Sequence, residues 1–240
     1  MTAVRQLSVK SSQRAPALPS LDARVSAKWC YLLAVGLLLA AVPALLADLS
    51  LARALVGGHL PGDLRRVLTW SEAFAHGLGV ALIAVVAVVL DSARRSRWPR
   101  VLCMAYGAGL LANVVKLIIG RYRPRHFLTL DIESPAVGDT FAGFAAWLAN
   151  GLDHTVQSFP SAHTATAFGF AVGLTRVYPR AGWLFLCLAT LSAAQRLESG
   201  AHFLSDVAAG AAIGLLVAGA AIEPRFLGGW FDRLEAAPDS

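Results

Sequence analysis

Gln195-Arg196-Leu197-Glu198-Ser199-Gly200-Ala201-His202-Phe203-Leu204-Ser205-Asp206 sets an arginine, a histidine and an aspartate between two apolar runs, 183–195 and 203–222. With the chain helical from about 202 onward, His202 and Asp206 stand one turn apart on one face, within reach of a carboxylate–imidazole hydrogen bond. Such a bond fixes the tautomer and leaves the other ring nitrogen with a lone pair, as a nucleophile or general base requires. A His-x3-Asp pair alone fits a surface helix or half of a metal site just as well, so the decision rests with the rest of the chain.

Working outward, further apolar runs lie near 29–47, 74–90, 101–119 and 162–178. The 240 residues are 56% hydrophobic, with a mean hydropathy of +0.58. That is too apolar for an ordinary soluble domain and leaves room for several membrane spans. The expected fold is therefore all-α: one polytopic domain over 29–222, a six-helix transmembrane bundle with short interfacial helices. Residues 1–28 read as a flexible cytoplasmic tail and 223–240 as a second cytoplasmic tail. Several runs are rich in Gly and Ala and shorter than a lone span prefers, which suits close helix packing.

Basic residues orient this layout. One side carries Arg5, Lys10, Arg14, Arg24 and Lys28, then Arg94, Arg95, Arg97 and Arg100, then Arg176, Arg180, Arg225 and Arg233. By the positive-inside rule that side is cytoplasmic, both termini with it, in the cytoplasmic (inner) membrane. The opposite, outer face receives Lys116, Arg123, the start of the 162–178 run and Arg196. A signal peptide is the alternative for the first run, with small residues at Ala44 and Ala47. The 28-residue polar leader fits an uncleaved anchor better, and cleavage would leave five spans. The net charge of +6 belongs to these loops, and no recognition helix or stacking platform accompanies it, so no nucleic-acid partner is expected.

Two clusters match the chemistry of 195–206. Lys116 and Arg123-Pro124 are separated by six residues, and Pro160-Ser161-Ala162-His163 opens another apolar stretch. The order Lys-x6-Arg-Pro, Pro-Ser-x-His, Arg-x5-His-x3-Asp resembles the three-part signature of the type 2 phosphatidic acid phosphatase superfamily, which includes membrane lipid phosphatases and soluble vanadium haloperoxidases. The family usually has Gly at Ala162 and Ser at Gln195. Alanine keeps the backbone N–H, while Gln195 leaves open what buttresses Arg196. The resemblance implies a metal-independent lipid phosphatase acting at the outer face: His202 attacks phosphorus to form a phosphohistidine, Asp206 holds the ring, and His163 protonates the leaving group and then activates water. Lys116, Arg123, Ser161 and Arg196 clamp the phosphate. Arg121 lies in the same segment, in a position that is not diagnostic.

The residues themselves fit that chemistry. Three cations near a membrane boundary are costly without an anion, few outer-side acids are placed to serve, and Asp206 is expected to be engaged by His202. Guanidinium forks and an ammonium bind phosphate oxygens, and a helix starting at Pro160-Ser161 points positive potential at them. His163, His202 and Asp206 as metal ligands would meet repulsion from those cations, so no metal and no cofactor is expected. The expected partners are a phosphorylated lipid and the surrounding membrane lipids; oligomeric state is not legible. A phosphotransferase would use the same pocket, and a non-catalytic phospholipid-binding or transport protein would not call for a nucleophile and a proton donor.

Smaller features complete the reading. Cys30, Cys103 and Cys187 all fall in proposed spans, as structural thiols. Pro61 to Leu68 reads as a short helix capped by Asp63, with Leu64, Val67 and Leu68 on one face. Phe141, Phe144, Trp147 and Leu148 recur at helical spacing, as packing against the bundle or as an interfacial helix. His59, His76, His126 and His154 fit no motif and are expected to be solvated or interfacial.

Overall fold

The structure is a computed structural model that describes residues 25–56, 60–130, 135–142, 148 and 153–236. Among these residues the regular secondary structure is helical, with isolated bridges from Arg121 to Phe141 and Gln157 as the extended pairings. The order is α1 Ala27–Leu55, α2 Gly62–Ser71, α3 Gly77–Leu90, α4 Trp98–Lys116, the single turn α5 Pro124–Phe127, α6 Ala162–Val177, α7 Gly182–Glu198, α8 Leu204–Ile222 and α9 Gly229–Ala236. Each of the six apolar runs falls on one of the helices α1, α3, α4, α6, α7 and α8.

By length and composition two helices can cross a membrane, α1 and α8; a third candidate is Gly62–Phe74 joined to Gly77–Leu90, bent by 70°. At about 1.5 Å per residue the 29-residue α1 is roughly 43 Å long, more than a hydrocarbon core needs. Its Leu32, Leu33, Leu39, Val42 and Leu46 are exposed, as are Leu78, Leu82, Val85 and Val89 of α3. An apolar flank of this extent suits a lipid surround.

Small residues draw the inner helices together. A Cβ on Gly169 of α6 would stand 2.2 Å from the Met104 carbonyl oxygen of α4, and one on Gly210 of α8 would stand 2.4 Å from the Ser161 carbonyl oxygen. Around these contacts Phe74, Val80, Trp98, Val101, Phe170 and Leu174 form a buried core. α8, almost entirely Ala, Gly, Val, Leu and Ile, packs against α1, α4 and α6, while α2 lies against α7.

Two local expectations change. The α2 helix forms, but its N-cap is Pro61. Asp63 sits in the first turn, facing Arg66 at 3.4 Å, because the helix begins two residues earlier than a side-chain cap at 63 requires. Of its apolar face Leu68 is buried and Leu64 and Val67 are exposed. Phe144 and Trp147 lie outside the described residues; Phe141 covers Arg121, its ring centroid 4.5 Å from the guanidinium carbon. Residues 1–24 and 237–240 of the two expected tails are likewise outside. Within the second, Pro224–Gly228 is kinked at Phe226 and leads into α9, which is held by Arg100 through Asp232 and, at 2.8 Å, Glu235.

Candidate active site

Chain direction explains why the distant clusters meet. Lys116 ends α4, Ser161 precedes α6, Arg196 lies in the last turn of α7 and Asp206 in the first turn of α8. Helices running alternately up and down bring these ends to one side of the bundle. The intervening segments are laced together by the backbone. Arg121 N–H donates to Val156 O and Arg123 N–H to Thr155 O, each at 2.8 Å, and Ser158 N–H returns to Arg121 O at 2.9 Å. Arg125 N–H reaches Gly200 O at 2.9 Å, and Ser161 N–H reaches Asp206 O at 3.0 Å. Gly200 turns the chain after α7 with φ of 62°, a conformation that glycine adopts without Cβ strain.

A cavity of about 460 Å³ opens between these segments, and Lys116, Arg123, His163, Arg196 and His202 all line it. Five of the seven residues proposed from sequence thus share one wall. The other two stand behind it: Ser161 and Asp206 are fully buried. Ser161 Oγ caps α6, accepting from Thr164 N–H at 3.4 Å and from the Thr164 hydroxyl at 2.9 Å. Asp206 Oδ2 accepts from Phe203 N–H at 2.8 Å, at the start of α8.

The contact that fixes His202 differs from the expected one. His202 Nδ1 lies 2.7 Å from the Ser158 carbonyl oxygen and 3.8 Å from Asp206 Oδ2, too long for a hydrogen bond. A carbonyl only accepts, so Nδ1 carries the proton and Nε2 keeps the lone pair. Asp206 acts at one remove: its Oδ2 accepts from Ser158 Oγ at 2.6 Å, and its Oδ1 pairs with Arg121. The residue expected to be engaged by His202 is engaged by Ser158 and Arg121 instead. Burial holds the His202 imidazole down to about 4, against the pull of Asp206, so the ring is neutral around pH 7.

Acids are closer than sequence spacing suggests. Glu72 Oε1, between α2 and α3, lies 2.8 Å from Arg196 Nη2 and 4.0 Å from His163 Nε2. Arg196 Nε donates to the side-chain carbonyl of Gln195, which is how this chain buttresses the arginine without the usual serine. Arg123 Nε is buried without a hydrogen-bond partner among the described residues. A buried N–H left unpaired costs about 1–3 kcal/mol, and an oxyanion in the cavity would meet both Arg123 and Lys116, which line it.

Sequence reasoning missed Arg121, Asp48, Glu72 and Ser158. For Asp48 a signal existed, a lone acid at the end of a long apolar run; the other three carry no distinctive spacing. His154, expected to be solvated or interfacial, is exposed and lines the cavity with Gln157. His76 lines a neighbouring cavity of about 550 Å³, which shares Asn113, Ala162 and His163 with the first, and its ring lies 6.0 Å from that of His163. His126 stacks on Tyr122, and His59 lies outside the described residues. No group of three or more His, Cys, Asp or Glu fit for a metal occurs among the described residues. The three cysteines are free, Cys30 buried and Cys187 exposed.

The chain is 35% identical over 129 residues to a lipid A 1-phosphatase of Rhizobium etli, covering 54% of this chain and 44% of that protein. It is 27% identical over 160 residues to the decaprenylphosphoryl-5-phosphoribose phosphatase of Mycobacterium tuberculosis, covering 65% and 77%. The chain thus spans less than half the length of the lipid A 1-phosphatase it matches. The crystal structure of Aquifex aeolicus LpxE superposes with a TM-score of 0.51 at 18% identity, covering 71% of this chain and 92% of that one, a likeness of fold. The family model of the PAP2 superfamily matches residues 97–225, a stretch that contains all seven proposed site residues, and the chain belongs to that superfamily.

Proposed function

We propose that this protein is an integral-membrane lipid phosphatase that hydrolyses a phosphomonoester or pyrophosphate head group at the outer face of the cytoplasmic membrane. The observation that carries the reading is the single cavity at which Lys116, Arg123 and Arg196 meet His163 and His202. Three cations and two imidazoles on one wall suit a tetrahedral oxyanion with an attacking group and a proton donor.

His202 Nε2 attacks phosphorus in line as the bond to the leaving oxygen breaks, giving a phosphohistidine. His163 delivers a proton to the departing oxygen and then takes one from the water that hydrolyses the N–P bond, so free phosphate leaves and His202 is restored. Lys116, Arg123 and Arg196 balance charge on the non-bridging oxygens, and Ser161 supports the clamp from behind the wall by capping α6, whose N-terminal N–H groups favour an anion. Asp206 orients His202 through Ser158. No step calls for a metal, since the cations already supply the positive charge.

In this reading 29–222 forms a six-span domain, with α1, α3, α4, α6, α7 and α8 crossing the bilayer and both termini cytoplasmic. The apolar flanks of α1 and α3 support it, as does the basic run Arg94 to Arg100 at the bundle end remote from the site. A lipid tail then stays in the bilayer while its head group reaches the clamp. The named relatives, a lipid A 1-phosphatase and a decaprenylphosphoryl-5-phosphoribose phosphatase, make a phosphorylated lipid the expected class.

The test is phosphate release from a panel of purified lipid phosphates in detergent, beside His202→Ala. Release by the parent and none by the variant, with retained competition by inorganic phosphate, supports the mechanism. Unchanged turnover by His202→Ala removes it. Transfer of the phosphoryl group to an added acceptor without equivalent phosphate release would make the protein a phosphotransferase.

A further inference from the structure

Arg121 is fully buried and absent from the cavity wall, although it lies between two residues of the basic motif. Its Nε donates to Thr140 Oγ1 at 3.1 Å, its Nη1 to Ser205 Oγ at 2.7 Å and to Asp206, and its Nη2 to Asp48 Oδ2 at 2.7 Å. The rings of Phe141 and Phe203 cover it, with centroids 4.5 Å and 4.3 Å from the guanidinium carbon. Little of this arginine is left to meet a phosphate.

Asp48 comes from α1, outside the stretch matched by the family model. It is buried, its Oδ1 accepts from Ser205 N–H at 3.0 Å, and its Oδ2 also accepts from Ser205 Oγ. Two carboxylates therefore stand at the start of α8, Asp48 on Ser205 N–H and Asp206 on Phe203 N–H, where the helix dipole favours negative charge. Arg121 bridges them. A buried ionic trio is poor value as a source of stability, because desolvation offsets most of its attraction. Its rigid geometry is what an apolar replacement would lack.

We propose that Asp48 and Arg121 are positioning residues for phosphoryl transfer, which together fix Asp206 and, through Ser158, the ring of His202. The inference rests on the phosphatase reading. Arg121 sets Asp206 Oδ1, Asp206 Oδ2 holds the Ser158 hydroxyl, and the Ser158 carbonyl holds His202 Nδ1. Asp48 anchors the far side of the arginine fork to α1, so the first helix takes part in aiming the nucleophile.

The experiment compares Arg121→Lys and Asp48→Asn with the parent protein, measuring kcat and KM on a lipid phosphate and the inhibition constant of inorganic phosphate. Lysine keeps the charge and cannot span both carboxylates; asparagine leaves the Arg121–Asp206 pair intact. Misplacing a nucleophile by about 1 Å can cost on the order of 100-fold, so kcat should fall roughly 100-fold in Arg121→Lys and about tenfold in Asp48→Asn. KM and the phosphate inhibition constant should stay within about twofold, because the clamp residues are untouched. Normal phosphate binding also reports an intact site, which a loss through unfolding would not leave. Should Arg121→Lys fail to fold, Asp48→Asn decides alone. Phosphate binding weakened about tenfold with kcat retained would make Arg121 a clamp residue, and kcat within twofold in Asp48→Asn would remove the anchoring role; either overturns the proposal. A parent protein that released no phosphate would instead sink the phosphatase reading.

Discussion

Glu72 forms an ion pair with Arg196 of the cavity wall, Oε1 to Nη2 at 2.8 Å, although they are far apart in sequence and Glu72 belongs to none of the three motifs. The carboxylate rests on one of the guanidinium groups that a phosphate is expected to engage. An incoming phosphate must therefore compete with it.

Glu72→Gln should release Arg196 and tighten binding of inorganic phosphate by roughly three- to tenfold, about the net worth of one ordinary hydrogen bond. Competitive inhibition by phosphate in a turnover assay measures this. Weaker binding would mean that Glu72 orients Arg196 rather than competing for it.

The pH profile follows from His202. A nucleophilic imidazole must be neutral, and burial lowers its ionisation from 6.5 to about 4. The neutral form therefore persists below the range in which an exposed histidine would already be protonated. The acid-side fall of kcat/KM, which reports the free enzyme, should be centred near pH 4, and activity should be largely retained at pH 5.5. An acid limb centred at 6.5 would show His202 to be solvated.

Chelators should leave turnover unchanged, since the cavity is lined by the cationic side chains of Lys116, Arg123 and Arg196, which disfavour a divalent ion there. Vanadate should inhibit, because its oxyanion can adopt the five-coordinate geometry of the transition state. Phosphate release before and after dialysis against EDTA tests the first point, and strict dependence on added magnesium would contradict it.

Helix packing offers a test separate from the chemistry. Gly169→Ala places a methyl group 2.2 Å from the Met104 carbonyl oxygen, and backbone cannot rotate aside, so α4 and α6 must part. A loss of about 1–3 kcal/mol is expected, as for an overpacked core. Gly36→Ala meets nothing within 4 Å and should leave the thermal midpoint in detergent unchanged. Equal midpoints for the two variants would contradict the close α4–α6 contact.

The amino-acid sequence determined where the six long apolar helices run and which polar residues stand at their ends. Apolar runs long enough to be helices meet polar residues at Lys116, Ser161, Arg196 and His202, and spacing alone put His202 near Asp206, although α8 begins at Leu204 and leaves His202 ahead of its first turn. Hydrophobic periodicity and motif spacing are local, so one chain suffices to read them. Tertiary structure decided the partners. That Asp206 serves Arg121 and Ser158 rather than bonding His202 directly, that Glu72 meets Arg196, and that Asp48 reaches Arg121 all depend on contacts between segments tens of residues apart. A lone acid in an apolar helix carries no spacing that names its partner; only packing the helices supplies the distance over which its charge is felt.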